Sequence, residues 1–215
     1  MPAEIPLIPV SAVIATKDRL QSLCRTLDSL LDQGLLPAEL IIVDSSATDY
    51  REQVTQRWES RCQYYPVIRW QKASQAGAAA QRNEGVALAT CPFIWFFDDD
   101  VTFDPGCLEK IWQVLSADSG LGGVNAMIKN QQYSPPGRVT RWVLKLVGAT
   151  PPFPGRIHGP GINLLPEDSS GLPEVVPVDW LNAGCVIYRK EALPTPPFPP
   201  QFQGYSMMED VTLSW

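Results

Sequence analysis

The sequence predicts an α/β fold with a mostly parallel central sheet and helices on both faces. Two observations carry that prediction. Short apolar runs alternate with longer amphipathic segments through the first half, the pattern of βα units. Aspartates close two of the apolar runs, at the strand ends where parallel sheets bind ligands. At 215 residues, the chain fits one domain, long enough to bury roughly 70% of its unfolded surface.

The elements follow in order. VSAVIA (10–15) reads as the first strand. Between Asp18 and about Gln33, Leu20, Leu23, Leu27, Leu30 and Leu31 recur at helical spacing, and Gly34 stands where a C-cap is expected. ELIIVD (39–44) is a second strand, and 49–60 a more polar helix. CQYYPVIRW (62–70) is a third strand that Pro66 confines to an edge or makes irregular. Residues 74–89 form an Ala-rich helix, FIWFF the fourth strand, and Pro105 with Gly106 opens another helix near its first turn. GLGGVNAMI (120–128) is a weaker strand.

The second half changes character. RVTRWVLKLVG (138–148) sets Val139, Trp142, Val143, Leu146 and Val147 on one helical stripe, a surface for a core or a partner. Thr150 to Pro177 is dominated by Pro, Gly and Ser, and an aperiodic stretch of that length suits a functional lid or a mobile segment. VPVDWLNAGCVIYRKEAL (176–193) restores a strand, PTPPFPPQFQGY is a proline-stiffened connection, and MMEDVTLSW opens a last helix. Ending inside that helix, the chain reads as truncated at its C-terminus.

Composition narrows the function. Lys and Arg number 17 against 23 Asp and Glu, a formal charge of −6, and no basic run forms a stripe for a phosphate backbone, which argues against nucleic acid. The five cysteines are widely spaced without a C-x-x-C pair, as expected of reduced thiols in a cytosolic protein. The N-terminus lacks the features of a secretion signal, and no apolar run approaches the ~20 residues that span a bilayer. The single histidine, His158, reads as a loop residue in RIHGPG, leaving little material for a catalytic triad or a histidine metal site.

The chemistry concentrates in FFDDD. On an extended backbone Asp98 and Asp100 share one side while Asp99 points away. Two converging carboxylates raise each other's pKa unless a cation neutralises them. A hard ion, Mg²⁺ or Mn²⁺, shared with substrate phosphates fits best. Glu209 and Asp210 begin the last helix, where a carboxylate serves equally as a cap or as a general base.

Together these segments resemble glycosyltransferase family 2, inverting sugar-nucleotide transferases of the GT-A fold. The likeness runs from about Val10 to the last residue through AVIATKDR, IIVDSSATD, GAAAQRNEG, FFDDD, WLNAGCVIYR and MMEDVTLSW in order. It implies a single GT-A domain, with about 10–128 as nucleotide-sugar-binding half and about 129–215 as acceptor-binding half. It places Thr16 and Asp44 in the base and ribose pocket, with Arg19 in the same loop or at the surface. Gly77 and Asn83 lie near the nucleotide, while Arg82 is a contact or a solvated helix residue. Asp98 lies toward the ribose and the metal, Asp100 binds the metal bridging two phosphates, and Asp99 supports that nucleotide-binding loop. Ala183 and Gly184 let the donor sugar lie against the backbone, and Trp180 is an apolar platform for the acceptor or a core residue. Asp210 matches the catalytic base, with Glu209 beside it toward the acceptor. Ser45 follows Asp44 where the family commonly has a second acid.

The resemblance further implies a UDP, dTDP or GDP sugar as donor, a saccharide or lipid-linked acceptor in polysaccharide or glycolipid synthesis, and a cytoplasmic enzyme, soluble or peripheral at the inner membrane face. Two alternatives stand beside it. One is a haloacid-dehalogenase-type phosphatase with Asp98 as nucleophile, although three βα units precede FIWFFDDDVT here. The other is a non-catalytic nucleotide-sugar-binding module.

Overall fold

The computed structural model describes residues 5–61, 67–129, 137–146, 155, 157–158, 162–163, 173–202 and 209–214. In chain order the elements are β1 (Leu7–Thr16), α1 (Leu20–Leu31), β2 (Leu36–Asp44), α2 (Arg51–Arg61), β3 (Val67–Lys72), α3 (Ala78–Leu88), β4 (Phe93–Phe97), α4 (Cys107–Ala117), β5 (Gly123–Asn125), α5 (Arg138–Leu146), β6 (Ile157–His158), β7 (Ile162–Asn163), β8 (Cys185–Arg189) and α6 (Glu209–Ser214). Six strands form one sheet in the order β3-β2-β1-β4-β8-β5. β1 to β4 pair in parallel, and β8 lies antiparallel between β4 and β5. β3 is an edge strand, as the proline in its run predicts. Residues 62–66 of that run lie outside the described residues, as does most of 150–177. His158 sits in the small β6–β7 ladder rather than in a plain loop.

Alternation along the strands divides the core into two layers. Val10, Ala12, Ile14, Leu40, Ile42, Trp95 and Phe97 face one way, against Leu23, Leu27 and Leu30 of α1, Val54 and Trp58 of α2, and Leu108, Ile111 and Leu115 of α4. Val13, Ile41, Val43, Ile94 and Phe96 face the other way, against Ala79 and Val86 of α3, Phe198 and Leu213 of α6. Strands covered on both faces are nearly continuous in apolar residues, which is why AVIA, LIIV and FIWFF carry so little polar alternation.

One helix boundary differs from the sequence reading. Gly34 is not a left-handed cap, because only Gly77, Gly106 and Gly155 among the described glycines have positive φ. Its N–H donates instead to Glu109 Oε1 at 2.6 Å. Gln33 closes α1: its Nε2 donates to the Ser29 and Asp104 carbonyls at 3.2 and 3.1 Å, and its Oε1 accepts the Leu108 N–H of α4 at 3.2 Å. One buried amide thus satisfies orphan groups at two helix ends. At the start of α4, Gly106 is the N-cap with φ 76°, a conformation that favours glycine.

Within the proline-rich connection Pro197 and Phe198 are buried, and Phe202 packs partly against the core. Phe198 is fully buried, and its backbone N–H and C=O are clasped by the Asn83 amide at 2.9 and 2.8 Å. The four described cysteines, Cys24, Cys91, Cys107 and Cys185, are free thiols. Among the described residues no helix is long and apolar enough to cross a membrane.

α3 approaches β1 through Gly85, where an added Cβ would collide with Val13 Cγ1. Alanine gains roughly 1 kcal/mol over glycine in helix propensity, but overpacking a rigid core costs about 1–3 kcal/mol. Gly85→Ala is therefore expected to lower stability by up to about 2 kcal/mol in urea unfolding; a gain in midpoint would show that the helix does not pack this closely.

Candidate active site

The sheet reverses its winding direction beside β1: β2 and β3 lie on one side and β4 on the other. Such a switch point leaves a crevice at the carboxyl ends of the strands. Thr16 and Asp44 pair in register at the ends of β1 and β2, and Asp98–Asp100 follow directly after β4. Parallel pairing in that register brings these residues to one edge.

Asp99 is buried and supports the site from below. Its Oδ2 accepts the Thr16 hydroxyl at 2.6 Å, and its Oδ1 accepts from Arg19 at 3.1 Å. Arg19 also pairs with Asp100 at 3.0 Å, so it belongs to the carboxylate cluster and is not a detached surface residue. Asp98 and Asp100 are about half exposed, with side-chain exposures of 46% and 54%. The outward pair and inward third member follow from strand alternation.

Arg82 is not a solvated helix residue. Its side chain is only 5% exposed, and it donates from Nη2 to Asp98 Oδ1 at 2.6 Å and from Nη1 to Glu209 Oε1 at 3.3 Å. Its guanidinium carbon sits 5.6 Å from the Phe198 ring centroid. Withdrawal from water raises the Asp98 pKa above the ordinary carboxylate value against the opposing pull of Arg82, and Asp100 and Asp99 push it further up. Glu209 is mostly buried at the start of α6, with Asp210 next to it; Asp210 Oδ1 accepts the Val211 N–H at 2.9 Å.

Asp44 is buried. Its Oδ1 accepts the Ser46 N–H at 2.8 Å and the Ser46 hydroxyl at 2.5 Å, whereas its Oδ2 is buried without a partner. Ser46 in turn accepts the Asp18 N–H at 2.6 Å, and the Lys72 ammonium caps the Ser46 carbonyl. Asp18 adopts φ 53°, a left-handed conformation that aspartate tolerates better than most residues. Gln81, buried within GAAAQRNEG, donates to the Thr16 and Val43 carbonyls at 2.9 and 2.7 Å and accepts from Ser45 and Gly77 at 3.2 Å. Sequence reading passed over Ser46, Asp18, Lys72 and Gln81. All four lie in or beside quoted motifs, but their work is on backbone groups of distant segments, which no spacing reports.

The antiparallel course of β8 starts it beside the end of β4, where Asp98 N–H donates to the Gly184 carbonyl at 3.2 Å. A Cβ at Gly184 would lie 2.9 Å from Asn182 Oδ1, 3.0 Å from Ile128 Cδ1 and 3.5 Å from Asp98 Oδ2. Ala183 is buried next to it. Trp180 is a core residue, buried with an unpartnered indole N–H, and presents no open ring face. Gly77 contributes backbone, with φ 141° at the N-cap of α3. Asn83 spends both ends of its amide on the Phe198 backbone.

Asp98 and Asp100 suit a hard divalent cation. Each gives one oxygen to an arginine and remains half exposed, and among the described residues no group of three or more His, Cys, Asp or Glu forms a cage. Two carboxylates without a cage are the donor set of an ion completed by phosphate oxygens and water.

Comparison with known proteins gives the fold and the family. The chain is 35% identical over 102 residues to the uncharacterised glycosyltransferase YwdF of Bacillus subtilis, covering 47% of this chain and 36% of the relative. It is 32% identical over 120 residues to validoxylamine A glucosyltransferase of Streptomyces hygroscopicus subsp. limoneus, covering 55% and 25%. Among solved structures, S. aureus TarS 1-349 superposes with a TM-score of 0.62 at 17% identity, covering 96% of this chain and 54% of that one. Mannosyltransferase PcManGT from Pyrobaculum calidifontis, solved with GDP-Man and Mn²⁺, gives 0.56 at 17% identity, covering 89% and 47%. The chain thus spans about a third or less of these curated relatives and about half of these structures. The fold is GT-A. Residues 11–156 match the family described as Glycosyl transferase family 2, and the chain belongs to it.

Proposed function

We propose that this chain is the catalytic domain of an inverting, metal-dependent glycosyltransferase. It moves a sugar from a nucleoside-diphosphate sugar to an acceptor hydroxyl in polysaccharide or glycolipid synthesis. Residues about 10–128 form the donor half and about 129–215 the acceptor half. The observation that carries this reading is the bridge from Asp98 through Arg82 to Glu209, which joins the strand-end carboxylates to the acidic start of α6. The phosphatase alternative falls with the family assignment.

Each residue has a task. The unpartnered Asp44 Oδ2 accepts a ring N–H of the base, a donor that uracil, thymine and guanine all carry. Asp98 and Asp100 would hold Mg²⁺ or Mn²⁺, which would supply positive charge against the departing diphosphate. Thr16, Arg19 and Asp99 keep the Asp98–Asp100 loop in position. Gly184 and Ala183 supply the backbone beside Asp98 against which the donor sugar lies, at a point where even a Cβ on residue 184 would crowd Asn182 and Ile128. Asp210 takes the proton of the acceptor hydroxyl as that oxygen attacks the anomeric carbon opposite the leaving group, and one displacement inverts the centre.

Three measurements test the assignment. In a thermal-shift panel of UDP, GDP and dTDP sugars, a donor at 100 times its Kd adds about 2.7 kcal/mol of stability. The shift is expected only with Mn²⁺ or Mg²⁺ present, and its absence with every donor would sink the donor-site reading. Asp210→Asn is expected to lower kcat by about 10²–10⁴-fold while donor binding persists; wild-type turnover would remove Asp210 as the base. Arg82→Lys keeps the charge but replaces a rigid planar fork by a compact ammonium whose donors are not pre-set toward the two carboxylates. It should lower kcat/KM about tenfold, close to the roughly 1.5 kcal/mol of one charge-assisted hydrogen bond. An unchanged value would mean that the bridge does not organise the site.

A further inference from the structure

We propose that α5 docks the protein on an anionic phospholipid surface. The inference is independent of the reaction assigned above. Val139, Trp142, Val143 and Leu146 recur at i, i+3, i+4 and i+7, the spacing of one apolar face. The comparable stripes of α1 and α4 are buried against the sheet. On α5 the same stripe is open: Val139 is 76% exposed, Trp142 63%, Val143 45% and Leu146 66%. Arg138, Thr140 and Lys145, on the rest of the helix, are exposed as well.

Charge identifies the occupant. α5 carries Arg138, Arg141 and Lys145 and no acid. These positions recur at i, i+3 and i+7, forming a basic row alongside the apolar one. The bias extends beyond the helix: residues 119–166 hold five Lys or Arg and no Asp or Glu, leaving 12 basic against 23 acidic residues elsewhere. Of the five, Lys129 is paired with Asp104, so the helix carries most of the remaining positive charge. A chain of net charge −6 is repelled as a whole by an anionic surface, so this local cationic patch decides which side can approach.

An apolar face with Trp and flanking cations is the composition of a helix lying in the headgroup plane. Trp142 suits the boundary between hydrocarbon and headgroups. A symmetric dimer through α5 would instead set each basic row against its own image, since a two-fold interface joins like surfaces.

Flotation of the chain with vesicles tests the proposal, using neutral phosphatidylcholine and phosphatidylcholine mixed with phosphatidylglycerol. The chain is expected to float with the anionic vesicles only, and less at high salt. Val139→Glu with Leu146→Glu is expected to abolish flotation. Arg138→Gln with Lys145→Gln should weaken it roughly 20-fold or more, at about fivefold per cation. All four side chains are exposed, so melting temperature and the donor-induced shift should be unchanged, which separates loss of docking from loss of fold or of donor binding. Failure to float with anionic vesicles, or flotation that the double Glu variant retains, overturns the proposal. A dimer in sedimentation that the double Glu variant dissolves, without flotation, assigns the face to a second copy.

Discussion

The arrangement depends on one buried guanidinium. Arg82 reaches Asp98 and Glu209, residues separated by more than half the chain. Burying a charge costs several kcal/mol unless it is paired with good geometry. Arginine suits this place because its rigid planar fork directs separate donors at two carboxylates in a fixed geometry. The pairing also fixes an element with little stability of its own. α6 has six described residues, too few to persist alone in water. It is held by Val211 and Leu213 in the core and by Glu209 on Arg82. Asp210 is therefore located by a bond that its neighbour makes.

Around that bridge, one side of the crevice is tied together by side-chain hydrogen bonds. Gln81 holds the ends of β1 and β2, Ser46 joins Asp44 to Asp18, and Asp99 joins Thr16 to Arg19. These bonds are buried or half-buried, where an unmade hydrogen bond costs about 1–3 kcal/mol, so the loops have little freedom to drift. A site that recognises diphosphate and base by direction as well as charge requires such fixed loops.

Much of this was legible in the sequence, and the reason differs by element. Strands and helices of the first half follow from apolar period, because their faces are covered by the chain itself. Asp98 and Asp100 emerge as an outward pair from alternation alone. The partners of Arg82 do not: a lone arginine on an Ala-rich helix looks like a solvated residue until tertiary packing brings α6 and Phe198 to it. Asn83 shows the converse. Its place in GAAAQRNEG suggests a ligand contact, yet its amide clamps a proline-rich connection whose only periodic signal is the spacing of aromatics among prolines.

α5 shows the limit of periodicity as an argument. An apolar stripe states that a face is to be covered, and it is silent on what covers it. The same i, i+3, i+4, i+7 spacing describes α1, which packs on the sheet, and α5, which stands open. What separates them is charge. The polar side of α1 bears both signs, Arg25 with Asp28, and Asp28 is drawn into ion pairs with Arg57 and Arg61 of α2. The polar side of α5 bears one sign only, within a stretch of 48 residues that contains no acid. Mixed charge is satisfied within the fold, where opposite partners are near. A row of one sign beside an apolar face is satisfied only by a partner that is apolar and oppositely charged at once, as an anionic bilayer surface is.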